Sequence, residues 1–187
     1  GDRRGDSNHR SDHRPEGGVT MAYAGTAHVF GDNINTDYIT PTDYFSESIE
    51  TIAEHAFEPI APGFHDEFEP GDVVVGGENF GSGSSRETAP KALKVKGVSV
   101  VVAESFSRLF YRNGVAIGLP VVTAPGVTAV VFDGDDIAVD LEAGVVQNET
   151  TDESVETEPM SPALRSIYDA GGLLEHYDRH PEGLTLK

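Results

Sequence analysis

No cysteine occurs anywhere in the chain. That excludes a secreted, disulfide-stapled scaffold. It also excludes a role as sole ligand of an iron–sulfur cluster or a thiolate zinc site. No apolar run is long enough to span a bilayer, and no apolar signal core follows a basic start. The expected location is therefore cytoplasmic, with no membrane partner. Lysine is nearly absent, at Lys91, Lys94, Lys96 and Lys187 only.

Acids dominate instead. Asp and Glu total 32 against 13 Lys and Arg, a formal net charge of −19 over 187 residues. Nucleic acid is excluded as a partner, because such a surface repels phosphate. The length fits one domain with at most some tail. Apolar residues make up 37%, low for a globular chain but above the disordered range. They concentrate in runs at 73–75 and 98–103, which is enough for a core.

Residues 1–20 carry four acids and four arginines, so the whole negative charge lies in residues 21–187. An acidic surface almost without lysine suits solubility in strong salt, where screening removes self-repulsion. We read it as a halophilic signature ahead of an ordinary acidic cytosolic protein. Segment 1–20 has no apolar periodicity and reads as a disordered extension, or as sequence upstream of a start at Met21. Its Arg4-Gly5-Asp6 is a chance tripeptide. Asn148-Glu149-Thr150 matches a glycosylation sequon but reads as an exposed turn.

Along residues 21–187 the pattern is mixed α/β. Strands are expected at 26–30, 72–75, 98–103, 119–123, 129–132, 137–141 and 145–148. Helices are expected at 48–56, 87–96, 105–113, 161–170 and 173–180, with a loop over 59–70. The apolar run 98–103, broken only by Ser99, predicts a strand covered on both faces. Ser105 is the expected cap of the 105–113 helix, and Asn113-Gly114 its end.

One segment points to chemistry. Gly76-Gly77-Glu78-Asn79-Phe80-Gly81-Ser82-Gly83-Ser84-Ser85-Arg86-Glu87 lies between a buried strand and a helix. Its glycines let the backbone approach a ligand closely. Amides at a helix start bind anions. Ser84 and Ser85 add hydroxyls, and Arg86 adds a charged fork for carboxylate or phosphate. It is not a Walker loop, since Gly81 is followed by Ser82-Gly83 rather than Lys. A dinucleotide fingerprint fails at Arg86, and neither Ser84 nor Ser85 has the flanking glycines of a nucleophile elbow.

This stretch resembles the signature of the aconitase-type swivel domain, above all in the small subunits of 3-isopropylmalate dehydratases. Asp32-Asn33-Ile34-Asn35-Thr36-Asp37, Glu104-Ser105-Phe106-Ser107-Arg108-Leu109-Phe110-Tyr111-Arg112-Asn113, Gly118-Leu119-Pro120-Val121-Val122 and Ala170-Gly171-Gly172-Leu173 follow in the same order. The resemblance implies a swivel domain over 21–187, a central sheet flanked by helices. It implies a heteromeric hydro-lyase of leucine biosynthesis, in which a large subunit holds a [4Fe-4S] cluster and this chain binds no cofactor. The cluster iron would act as Lewis acid on a small dicarboxylate, interconverting 2- and 3-isopropylmalate.

By position, the resemblance makes Ser84 the catalytic base, acting as alkoxide. Helix mouth, loop amides and Arg86 would favour its anion. It makes Ser85 and Arg86 carboxylate binders and Asp37 a carboxylate of the same site, against a turn-capping alternative for Asp37. Arg108 and Arg112 would support the fold or the subunit interface. Segment 41–46 would set specificity, with Tyr44 and Phe45 as apolar contacts. Ser46 stands where homoaconitase-type relatives carry arginine, and Glu47 beside it repels anions, so an alkyl-substituted malate is expected over a tricarboxylate. Methyl- or dimethylmalate and homoaconitate are the alternative substrates. A non-catalytic anion-binding module is the alternative class.

Overall fold

The computed structural model describes residues 22–84 and 86–182. Segment 1–20, Met21 and Ser85 lie outside them. In chain order the elements are β1 (Ala22–Val29), α1 (Thr36–Ile39), α2 (Ile49–Glu54), α3 (Phe64–Glu67), β2 (Val73–Gly76), α4 (Thr88–Lys96), β3 (Val100–Ala103), α5 (Arg108–Ile117) and β4 (Val121–Thr123). They continue with α6 (Val127–Val130), β5 (Asp136–Asp140), β6 (Val145–Asn148), β7 (Ser154–Glu156), α7 (Pro162–Ala170) and α8 (Leu173–Arg179).

The strands form one sheet in the order β4-β3-β2-β1-β5-β6-β7. β1 to β4 run parallel, and β5 to β7 join antiparallel. β1 serves both halves. Its first residues, Ala22 to Thr26, pair with β5, and Ala27 to Val29 pair with β2. Because side chains alternate along a strand, β2 and β3 feed two cores. Val74 and Val101 join Phe57, Phe64, Phe80, Leu93 and Phe110 on one face. Val73, Val75, Val100 and Val102 join Ile137, Val139 and Val146 on the other. That double burial is why both strands read as unbroken apolar runs.

Some local expectations are corrected. The helix expected at 105–113 runs from Arg108 to Ile117. Ser107 is its cap, accepting from the Phe110 N–H at 3.2 Å. Ser105 instead accepts from the Asn79 N–H at 2.8 Å. Gly114 does not end the helix but lies inside it, where an added Cβ would stand 3.0 Å from Val121 Cγ1. Gly118, at φ +78°, closes it. Residues 129–132 are not a strand, since α6 occupies Val127–Val130. The Glu104 carboxylate organises that turn, accepting from the Gly126 and Thr128 N–H groups at 2.6 and 3.0 Å. The loop over 59–70 contains the single-turn α3, and β7 was not anticipated. Asn148 is not in an exposed turn: it ends β6 and is fully buried, and the turn begins at Glu149. Its amide donates to Val130 O and Asp135 Oδ2, so the sequon is occupied by fold contacts. No described helix is long and apolar enough to cross a membrane.

A buried histidine–carboxylate hydrogen bond pins the junction of β1 and β2. Asp72 Oδ2 lies 2.9 Å from His28 Nε2. The same carboxylate accepts from the Glu69 and Thr26 N–H groups. Burial works against its charge, but the bonds from His28, Glu69 and Thr26 outweigh it and hold its pKa below the ordinary value. A depressed folded pKa gives stability that is present above the unfolded value and disappears as pH falls through the folded one. Asp72→Asn is therefore expected to flatten the acid limb of the unfolding midpoint as pH falls below the ordinary aspartate range, measured at fixed salt. An unchanged acid limb would remove Asp72 from the pH dependence.

Candidate active site

β1, β2 and β3 run parallel and end at the same edge of the sheet, so the loops that follow them meet there. This is where open parallel sheets bind ligands. The 77–87 loop is held from both sides. On the β1 side, Asp32 Oδ1 accepts from the Glu78 N–H at 2.8 Å, and the Gly81 N–H donates to Ile34 O at 2.8 Å. Asn35 and Ser82 form a parallel bridge, with the Thr36 N–H donating to Ser82 O. On the β3 side, Phe80 bridges Phe106, and the Ser107 hydroxyl donates to Gly81 O at 2.7 Å. Beneath the loop, the Phe80 ring is fully buried against Phe57, Phe106 and Phe110.

Beyond Ser82 the chain turns outward. Gly83 takes φ +100°, a conformation that disfavours any side chain. A Cβ there would also lie 2.8 Å from the Asn35 amide. This turn presents Ser84 at the surface. Its hydroxyl has one partner among the described residues, Thr36 Oγ1 at 3.3 Å. α4 starts four residues later, with Glu87 at its cap position and no side-chain cap.

Arg86 is exposed, and its guanidinium carbon stands 4.2 Å from the Phe45 ring centroid. A cation held over a ring face by the ring quadrupole can still offer N–H donors to a carboxylate. Arg86 makes no ion pair with another described residue. Asp37 is exposed on α1, next to Thr36 in sequence. It does not cap the turn. Asn35 does, accepting from the Asp37 N–H at 2.8 Å, which leaves the Asp37 carboxylate unbonded among the described residues.

The expected specificity residues separate. Phe45 lies under Arg86. Tyr44 is stacked on His55 at 3.7 Å and packs toward α2 and α4 beside Ile52, Ala53 and Ala92. Ser46 is exposed, and Ser85 lies outside the described residues. Arg108 and Arg112 are exposed on α5 beside a cavity of about 590 Å³ that includes Phe106 and Tyr111. The sequence reading assigned no role to Thr36. Its position beside Asp37 in the quoted motif was the one available signal.

These features define the class of protein. The aconitase C-terminal domain model matches residues 62–125, which span β2, the 77–87 loop, β3, α5 and β4. A 3-isopropylmalate dehydratase small subunit from Archaeoglobus fulgidus is 43% identical over 86% of this chain and 97% of its own length. A methanogen homoaconitase small subunit from Methanothermobacter thermautotrophicus is 45% identical over 79% of this chain and 86% of its own. The crystal structure of a 3-isopropylmalate dehydratase from Methanocaldococcus jannaschii superposes with a TM-score of 0.80 at 36% identity. It covers 87% of this chain and 96% of that one. The chain belongs to the family of 3-isopropylmalate dehydratase small subunits.

Proposed function

We propose that this chain is the small subunit of a two-subunit hydro-lyase that interconverts 2- and 3-isopropylmalate through isopropylmaleate. One observation carries the reading. A serine hydroxyl stands on a stitched loop at the carboxyl ends of parallel strands, two residues before an exposed arginine held over an aromatic ring. Dehydration takes a proton from one carbon and the hydroxyl from its neighbour. The electron pair of the broken C–H bond becomes the second bond of the alkene. In this reading the Ser84 oxyanion takes the proton and becomes a hydroxyl again, and Arg86 with Ser85 holds a substrate carboxylate.

Cysteine thiolates are the usual ligands of a [4Fe-4S] cluster, and this chain has no cysteine. The reading assigns the cluster to the larger subunit. Asp37 would orient the carboxylate clamp or a proton donor.

Relatives named for isopropylmalate and for homoaconitate are about equally similar, so overall likeness does not choose the substrate. Segment 41–46 does. Exposed Ser46 offers no charge to a third carboxylate, and Glu47 repels one. The complex reconstituted with its large subunit under anaerobic, high-salt conditions is expected to favour isopropylmalate over homoaconitate by at least about tenfold in kcat/KM. Faster turnover of homoaconitate would overturn the substrate. A chain that forms no complex and supports no hydration would overturn the class.

A further inference from the structure

The structure assigns Thr36 a role in the Ser84 chemistry: we propose that it is a positioning residue whose hydroxyl holds Ser84 and donates to the Ser84 oxyanion. The inference rests on Ser84 being the base. A serine hydroxyl is a weak base unless something favours its anion. The side chains around Ser84 show what does. Arg86 lies over Phe45, and the Ser84 hydroxyl meets Thr36 Oγ1 at 3.3 Å.

Thr36 is held in place by bonds that do not involve Ser84. It is 4% exposed. Its N–H donates to Ser82 O at 2.8 Å, and its carbonyl accepts from the Thr40 N–H and hydroxyl at 2.8 and 3.1 Å. A threonine inside a helix often spends its hydroxyl on the carbonyl one turn earlier. Thr36 is the first residue of α1, with no earlier helical turn to bond. Its O–H is therefore free to point at Ser84, and its β-branched side chain has little rotamer freedom to leave. A neutral Ser84 can donate or accept in this pair. An oxyanion can only accept, through a shorter and stronger charge-assisted bond. That difference lowers the Ser84 pKa, and it operates only when the base is charged.

The test uses the assembled complex. Thr36→Val should lower kcat on the order of 10²-fold, as removal of one oxyanion donor does. KM should stay within about twofold, because the interaction is made with the base and not with substrate. The activity that remains should need higher pH. Thr36→Ser should restore most of the rate. Thr36→Val combined with Ser84→Ala should be no slower than Ser84→Ala alone, since both remove one unit. An assembled Thr36→Val complex with unchanged kcat would overturn the proposal. So would a Thr36→Ser complex as slow as Thr36→Val, which would reveal a packing role for the methyl group. A double variant slower than Ser84→Ala would place the action of Thr36 elsewhere. If Thr36→Val does not assemble, Thr36→Ala replaces it in the same comparisons. Failure of the underlying reading looks different: Ser84→Ala would then keep its activity.

Discussion

Ser84→Ala is expected to lower kcat by about 10² to 10⁴-fold, the range for loss of a positioned proton-transfer group, while the two subunits still assemble. The residue is exposed, and its hydroxyl meets only Thr36 among the described residues. Its removal leaves no cavity and takes one long hydrogen bond from the Thr36 hydroxyl. Stability should therefore change by no more than about 1 kcal/mol. A protein that merely bound an anion at this loop would respond differently. It would lose one weak contact, and ligand affinity would fall several-fold with no turnover to lose. Steady-state kinetics of the reconstituted complex, with gel filtration to confirm assembly, separate the two. A kcat within about threefold of the unmodified complex would remove Ser84 from the chemistry.

Phe80→Ala should act through the fold instead, costing about 3 to 5 kcal/mol. The ring is fully buried and makes edge contacts with Phe106 and Phe110 at centroid distances of 5.9 and 5.2 Å. It also covers Gly76, where even a Cβ would stand 2.3 Å from Phe80 Cδ2. Few neighbours can move in to fill the space, because the loops above are tied by backbone hydrogen bonds on both sides. The melting temperature should fall by about 10 °C or more. Turnover should fall with it, since the loop that presents Ser84 loses its floor. Phe80→Leu should recover much of the loss, because volume-conserving changes usually cost under about 1.5 kcal/mol. A Phe80→Ala protein that melts within a few degrees of the original would mean that the loop is held by its hydrogen bonds alone. Together the two variants separate chemistry from scaffold, one changing rate without stability and the other changing both.

What could be read from the residues in order was whatever local chemistry decides. The valine runs of β2 and β3 announced strands buried on both faces, because no polar residue interrupts them. Ser161-Pro162 and Gly171 marked the ends of α7, because capping involves only nearby backbone. The spacing of glycines, serines and arginine over 76–87, together with its family likeness, located the site loop.

Tertiary contacts decided the rest. Two serines competed to start α5, and the choice fell to Ser107 because Ser105 was taken by Asn79, 26 residues away. Gly114 looked like a helix end, yet it serves as a close approach to Val121 across a packed interface. Tyr44 and Phe45 are adjacent in sequence but face different partners, His55 and Arg86. The pairing of Thr36 with Ser84, 48 positions apart, follows from the parallel alignment of β1 with β2, which brings the loops after both strands to one edge. The sequence by itself determined the buried strands β2 and β3, the ends of α7 and the loop that carries the serine, since each depends on residues within a few positions of one another. Which side chains meet that serine was decided only by the folded sheet, because a hydrogen bond between distant residues exists only where strand register places them.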